Sequence, residues 1–272
     1  MKDLSSAYRP IRCSLEAVET EIAGRTTGRF SVLLRGKRLR PALLLLSAGA
    51  TGERPDNDAV LAAAIVEIVH TASLIHDDVI DSAARRRDGG ALHRIIGVKP
   101  AVIFADLLFV QGLAALEEIA TPGLVHSLVR EVRTMCEGQW LEVRIGAGVR
   151  CTQKQYFDII DKKTASLFAF CCRTGGLLRK ARAPELAALA EFGRQFGLAY
   201  QLLDDATDLH EEREGAVQRA LVRWGGRRFC RCAAKESAAN ARQALKSVPP
   251  RIAGGLGQLL SSVMEEANAN QG

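Results

Sequence analysis

Apolar residues recur at three- and four-residue steps along nearly the whole chain, and this periodicity restricts the fold more than any other feature. From Leu61 to Asp81 the series Leu61, Ile65, Ile68, Val69, Ala72 and Ile75 lines one helix face, while polar residues at similar spacing occupy another. The pattern returns in Arg40 to Ala50, Ala101 to Ala120, Leu124 to Trp140, Gln155 to Arg179, Pro184 to Leu209 and Ala233 to Val248. Turn signals separate these segments at Gly52 to Asp58, Asp88 to Gly90, Thr121 to Gly123, Gly146 to Gly148 and Pro249 with Pro250. No stretch alternates apolar and polar residues long enough to predict a strand. The expectation is an all-α single domain, and 272 residues suffice for one large core.

Composition narrows the class. At 47% hydrophobic and 25% charged the chain matches an ordinary globular protein, and its net charge of +6 suits an anionic partner. Aromatic residues are only 5% and never interleave with basic ones, so no nucleic-acid partner is expected. Seven scattered cysteines without a C-x-x-C pair (Cys13, Cys136, Cys151, Cys171, Cys172, Cys230, Cys232) read as reduced thiols, which predicts a cytoplasmic location. The opening residues carry no apolar signal core, and the apolar stretch from Ala101 to Leu116 is interrupted by Asp106. Neither a signal peptide nor a membrane span is predicted.

One pattern occurs twice. Asp77-Asp78-Val79-Ile80-Asp81 and Asp204-Asp205-Ala206-Thr207-Asp208 both read D-D-x-x-D. At average composition, chance supplies one such motif at roughly 0.06 per chain of this length and two at roughly 0.002. On a helix the first and last aspartates lie one turn apart, where unpaired anions repel. A single motif can be a solvated face; two, each ending an apolar helix, call for a cation. Magnesium suits them, because it takes one or two carboxylates per ion and fills its other positions with water and phosphate oxygens.

Basic residues accompany the acidic ones. Lys37 and Arg40, three apart in Gly36-Lys37-Arg38-Leu39-Arg40-Pro41, are able to converge on one anion, and Arg85-Arg86-Arg87 follows the first motif. His70 lies two turns before Asp77 and shares its face. Taken singly, each reads equally as a surface patch or a core histidine; beside two acidic clusters the ligand reading gains.

Together these residues resemble the trans-isoprenyl diphosphate synthases, or polyprenyl synthetases. The shared stretches are Gly36 to Pro41, Glu67 to Asp81, Arg86-Arg87, Lys163-Thr164 and Phe196 to Asp208. The resemblance implies a helical bundle around a central cavity, spanning residues 1–272, with the two aspartate motifs facing each other. It implies magnesium at Asp77, Asp78, Asp81, Asp204, Asp205 and Asp208, and Arg86 on an allylic diphosphate. Lys37, Arg40, His70 and Arg87 would hold isopentenyl diphosphate, and Lys163, Thr164 and Gln201 would line the reacting allylic end. The implied reaction needs no protein nucleophile, which agrees with the absence of a Ser-His-Asp or Cys-His pattern.

Two departures stand out. Where the family carries a lysine-bearing, glycine-containing loop after the second motif, Leu209 to Ala234 has no lysine, as if about one helical hairpin were deleted there. Arg213, Arg219, Arg223, Arg227 or Arg228 would have to substitute, although a guanidinium fork differs from an ammonium. Asp88 also stands where the family has glycine. A weakened or noncatalytic subunit and a class I terpene cyclase therefore remain as alternatives. The small residues Ala72 and Ser73, a turn before Asp77, predict a geranylgeranyl or longer product, and surplus apolar helix surface predicts a homodimer.

Overall fold

The computed structural model describes residues 4–26, 36–50, 56–83, 85, 86, 89–146, 150–209 and 216–269. The N-terminal elements are α1 (Leu4–Tyr8), a 3₁₀ turn (Arg9–Ile11) and α2 (Arg12–Arg25). They pack on α3 (Leu39–Ala48) and α4 (Asn57–Ile80), with α1 also touching the last helix. Asp56 caps α4 by accepting from the Ala59 N–H at 3.0 Å. Twenty-four residues make α4 a rod of about 36 Å, long enough to carry Glu67 and His70 mid-length and Asp77 and Asp78 in its last turns.

After a two-residue ladder pairing Arg85 and Arg86 with Gly90 and Gly89 come α5 (Leu92–Ile96), α6 (Val98–Leu116) and α7 (Leu124–Gly146). A Thr152–Gln155 capping box opens α8 (Gln153–Ile160). A π-helical turn (Asp161–Ala165) then leads into α9 (Ser166–Leu178). Pro184 in its first turn starts α10 (Ala183–Asp208), whose end carries the second aspartate motif. The chain finishes with α11 (Ala216–Arg223), α12 (Gly226–Ala244), a 3₁₀ turn (Leu245–Ser247) and α13 (Pro250–Ala269).

The main core joins α3, α4, α6, α9, α10 and α13. A second apolar cluster, including Tyr156, Ile160, Leu202, Ala206, Leu221 and Cys230, lies under the C-terminal end of α10. Its walls are α8, α11 and α12.

The helical class holds, with corrections in detail. The segment Gln155 to Arg179 is not one helix, because the π turn interrupts it. Leu209 to Ala234 contains α11 and the start of α12, which begins at Gly226 and not at Ala233; residues 210–215, with Arg213, lie outside the described residues. Pro250 does not mark a stop: it occupies the first position of α13, where a missing N–H costs nothing. By length and hydropathy α6 does reach a membrane-spanning value, as does α4. The apolar window of α4 is 72% buried inside the protein and that of α6 only 28%.

Candidate active site

Lys163 joins the two halves of the site. Its Nζ lies 2.7 Å from Glu142 Oε2 on α7 and 3.5 Å from Asp77 Oδ2 at the end of α4. Burial alone would weaken its charge, but the two carboxylates prevail and raise its pKa. Lys163 also lines a small pocket with Glu142, Tyr156, Thr164, Gln201, Asp205 and Val217. The first motif thus reaches the pocket through Lys163, and the second enters it directly through Asp205.

A chain of hydrogen bonds fixes the second wall. Thr164 Oγ1 donates to Gln201 Oε1 at 2.9 Å, and Gln201 Nε2 donates to Asp205 Oδ1 at 2.8 Å. Tyr156 donates its hydroxyl to Asp205 Oδ2 at 2.5 Å. The α10 face bearing Gln201 and Asp205, one turn apart, is therefore tied at both oxygens of the carboxylate. Asp78 on α4 and Asp81 at its C-terminal cap flank Asp77, and Asp204 and Asp208 flank Asp205 on α10.

The π turn places Lys163 and Thr164, and two glycines let it fit. A Cβ on Gly138 of α7 would lie 2.7 Å from the Lys163 backbone nitrogen, and one on Gly197 of α10 would lie 2.6 Å from Ala165 Cα. Neither helix could approach the bulge so closely with a side chain at those positions. Bulges of this kind re-aim side chains out of a regular helix.

The basic residues separate. Arg40 Nη1 meets His70 Nε2 at 2.8 Å, and its guanidinium lies 4.3 Å from the Phe168 ring centre. Lys37 instead pairs with Glu266 of α13 at 2.9 Å. Arg38, not singled out by the sequence, bridges Glu19 of α2 and Glu67 of α4. Arg86 sits in the short ladder opposite Gly89, while Arg87 and Asp88 lie outside the described residues. Arg219, Arg223 and Arg228 are exposed, and neither they nor Arg227 lines the pocket. Glu142 and Tyr156 were missed as well; each contacts the site from a partner far along the chain.

The acidic residues fit a hard divalent cation. Burial raises the Asp77 carboxyl to about 6 against the opposing Lys163 charge, with Glu142 and Asp81 adding repulsion. Burial likewise raises Asp205 to about 6 despite the Tyr156 and Gln201 hydrogen bonds, and Asp204 and Asp208 add to the rise. Such crowding of oxygen donors is relieved by a cation. Among the described residues no three acidic, histidine or cysteine side chains already close on one point.

The sequence model of the polyprenyl synthetase family matches residues 27–220, most of the chain. The chain belongs to the polyprenyl synthetase family. It is 37% identical over 208 residues to the short chain isoprenyl diphosphate synthase of Methanothermobacter thermautotrophicus, covering 75% of this chain and 63% of that protein. To the geranylgeranyl diphosphate synthase of Methanosarcina mazei it is 35% identical over 187 residues, 66% of this chain and 57% of that one. The chain thus spans about three fifths of the length of these relatives. In fold, the chain matches the Caulobacter crescentus polyprenyl synthase crystallised with calcium and isoprenyl diphosphate. Its TM-score to that structure is 0.85 at 25% identity, covering 96% and 98% of the two chains. The Rhodobacter capsulatus decaprenyl diphosphate synthase shares the fold at TM-score 0.85 and 23% identity, covering 97% and 99%. The family match ends at residue 220, inside α11, within the segment that departs in sequence.

Proposed function

We propose that this polyprenyl synthetase is a trans-prenyltransferase joining isopentenyl diphosphate to an allylic diphosphate. The observation that carries the reading is that Lys163, which lines the same pocket as Asp205 of the second motif, pairs with Asp77 of the first at 3.5 Å. A merely solvated helix face gives no reason for motifs 127 residues apart to converge.

Magnesium at Asp77, Asp78 and Asp81 on one wall and Asp204, Asp205 and Asp208 on the other supplies, when bound, the counter-charge that draws electrons onto the allylic diphosphate. Lys163 and Arg86 add protein charge to the same leaving group. Its carbon–oxygen bond breaks, and the neutral oxygens of Thr164 and Gln201 face the resulting positive carbon without attacking it. Arg40 and His70 hold isopentenyl diphosphate so that its double bond attacks that carbon; Lys37, which pairs with Glu266, would have to leave that carboxylate to join them, and Arg87 is assigned there by the family resemblance alone. The proton then leaves to the departing diphosphate. The product is geranylgeranyl diphosphate or longer, because the half-buried Ser73 offers no bulky stop. Seven free thiols suit a reducing cytoplasm, and the exposed apolar face of α6 suits a homodimer.

A radiolabelled condensation assay tests this. Product formation with magnesium, abolished by chelator and by Asp77→Ala or Asp204→Ala, is the expected result; wild-type turnover in excess chelator would contradict it. A second reading, a slow or noncatalytic subunit, is favoured by one observation. α11 gives the pocket the apolar Val217 and none of the arginines that were to replace the family's lysine loop. Tight isopentenyl diphosphate binding with negligible turnover would select it. A terpene cyclase leaves the Arg40–His70 pair without a ligand and is set aside.

A further inference from the structure

The sequence stretch that supplies Lys37 and Arg40 also contains Arg38, and the two arginines do different things. Arg38 stands at the entry to α3 with φ 53° and ψ 32°, a left-handed conformation that a residue with a Cβ adopts only when its surroundings hold it there. Its carbonyl accepts from the Ala42 N–H at 2.9 Å and so begins the hydrogen-bond ladder of α3.

Two carboxylates hold it. Arg38 Nη1 donates to Glu67 Oε1 at 2.8 Å, while Nε and Nη2 grip both oxygens of Glu19, the latter at 2.9 Å. The Arg38 side chain is 12% exposed and that of Glu67 8%. All three guanidinium nitrogens are engaged by carboxylates, so this side chain is committed to the protein and not to a ligand. Its partner Glu67 lies three residues before His70 on α4, and Arg38 lies two before Arg40 on α3. The Arg38–Glu67 and Arg40–His70 contacts are therefore two rungs between the same helices.

We infer that Arg38 is a positioning residue for isopentenyl diphosphate: its double carboxylate clamp fixes the first turn of α3, which keeps Arg40 in register with His70. The inference rests on the proposed reading of Arg40 and His70 as that substrate's ligands. It gives a sign that a simple field effect does not. Glu67→Gln removes a negative charge near an anion site, so electrostatics alone would tighten binding; loss of the clamp loosens it.

The test titrates isopentenyl diphosphate alone, which has no allylic partner to react with, into the full-length protein by calorimetry. The KM of each substrate is measured in parallel. Arg38→Met and Glu67→Gln are each expected to weaken isopentenyl diphosphate by about ten-fold or more while leaving the allylic KM within about two-fold. Arg38→Lys, which keeps the charge but not the fork, should fall between. Should Arg38→Met not fold, Glu19→Gln opens only the half-exposed arm, and about two- to five-fold weaker binding is expected. Unchanged or tighter binding in Glu67→Gln, or equal loss for both substrates in Arg38→Met, overturns the inference. Unchanged binding in Arg40→Gln overturns instead the ligand reading beneath it.

Discussion

At neutral pH the Asp205 carboxylate occupies surroundings that favour its protonated form, and the metal-free protein carries that cost. The unfolded carboxyl titrates near 3.8 and the folded one near 6. The penalty is therefore absent below pH 4, grows between pH 4 and 6, and is complete above, on the order of 2–3 kcal/mol. Asp77 behaves alike. Asp205→Asn is expected to raise the melting temperature of chelator-treated protein at pH 7.5, with the gain shrinking towards pH 4, while turnover falls by about 100-fold or more. Equal melting temperatures at pH 7.5 would mean the carboxylate is already compensated. Product length is also set by single residues. Ala72 is fully buried in the main core, whereas Ser73 is half-buried with its Oγ bonded to the His70 carbonyl at 2.7 Å. Ser73→Phe should shorten the product, seen by chromatography after dephosphorylation. Ala72→Phe should instead overpack the core by about 1–3 kcal/mol.

The π turn between α8 and α9 is the element on which the site depends most closely. Gly138→Ala pushes a methyl against the Lys163 backbone nitrogen and the Lys162 Cβ and carbonyl carbon, none of which can rotate away. A loss of about 1–3 kcal/mol and a raised allylic KM are expected; Gly24→Ala on α2, with nothing within 4 Å, serves as the neutral control. If Gly138→Ala matches that control in melting temperature and KM, the close packing is not what sets Lys163. The turn also marks the limit of sequence reading. Both aspartate motifs and the helices carrying them were legible because apolar spacing and charge repeat are local properties. A π bulge has no residue signature, so Lys163 and Thr164 came from family resemblance alone. Glu142 and Tyr156 stayed hidden because their partners lie 21 and 49 residues away. Folding, not spacing, brings them together. Nor did composition reveal α12 from its start, since Gly225 and Gly226 resemble a loop while Gly225 actually turns the chain at φ 109° into that helix.

For the molecule as a whole, α6 is the unbalanced element. Ile103, Leu107 and Val110 are 60%, 52% and 63% exposed, and their spacing of four and three residues aligns them on one face. The opposite face, with Ala101, Ala105, Leu108 and Gly112, packs on α4, where the Val69 methyl would stand 3.1 Å from a Cβ at Gly112. Asp106, with its side chain 62% exposed, is the one charge between Ile103 and Val110; a helix otherwise apolar on both faces has either a protein partner or a lipid one, and that charge disfavours the lipid. The inner face is committed to the globular core, and α4 and α6 pack against each other as parts of one bundle. A second copy of the chain therefore suits the outer face better than a bilayer does. Replacing Ile103 and Val110 together by Asp leaves the buried face untouched and should convert a dimer to a monomer in sedimentation, with little change in helix content. If the wild-type chain sediments as a monomer and floats with anionic or neutral vesicles, while the double variant does not, the outer face serves a membrane. If both sediment as dimers, the interface lies elsewhere, with exposed Trp140 and Val143 of α7 as the next surface to change.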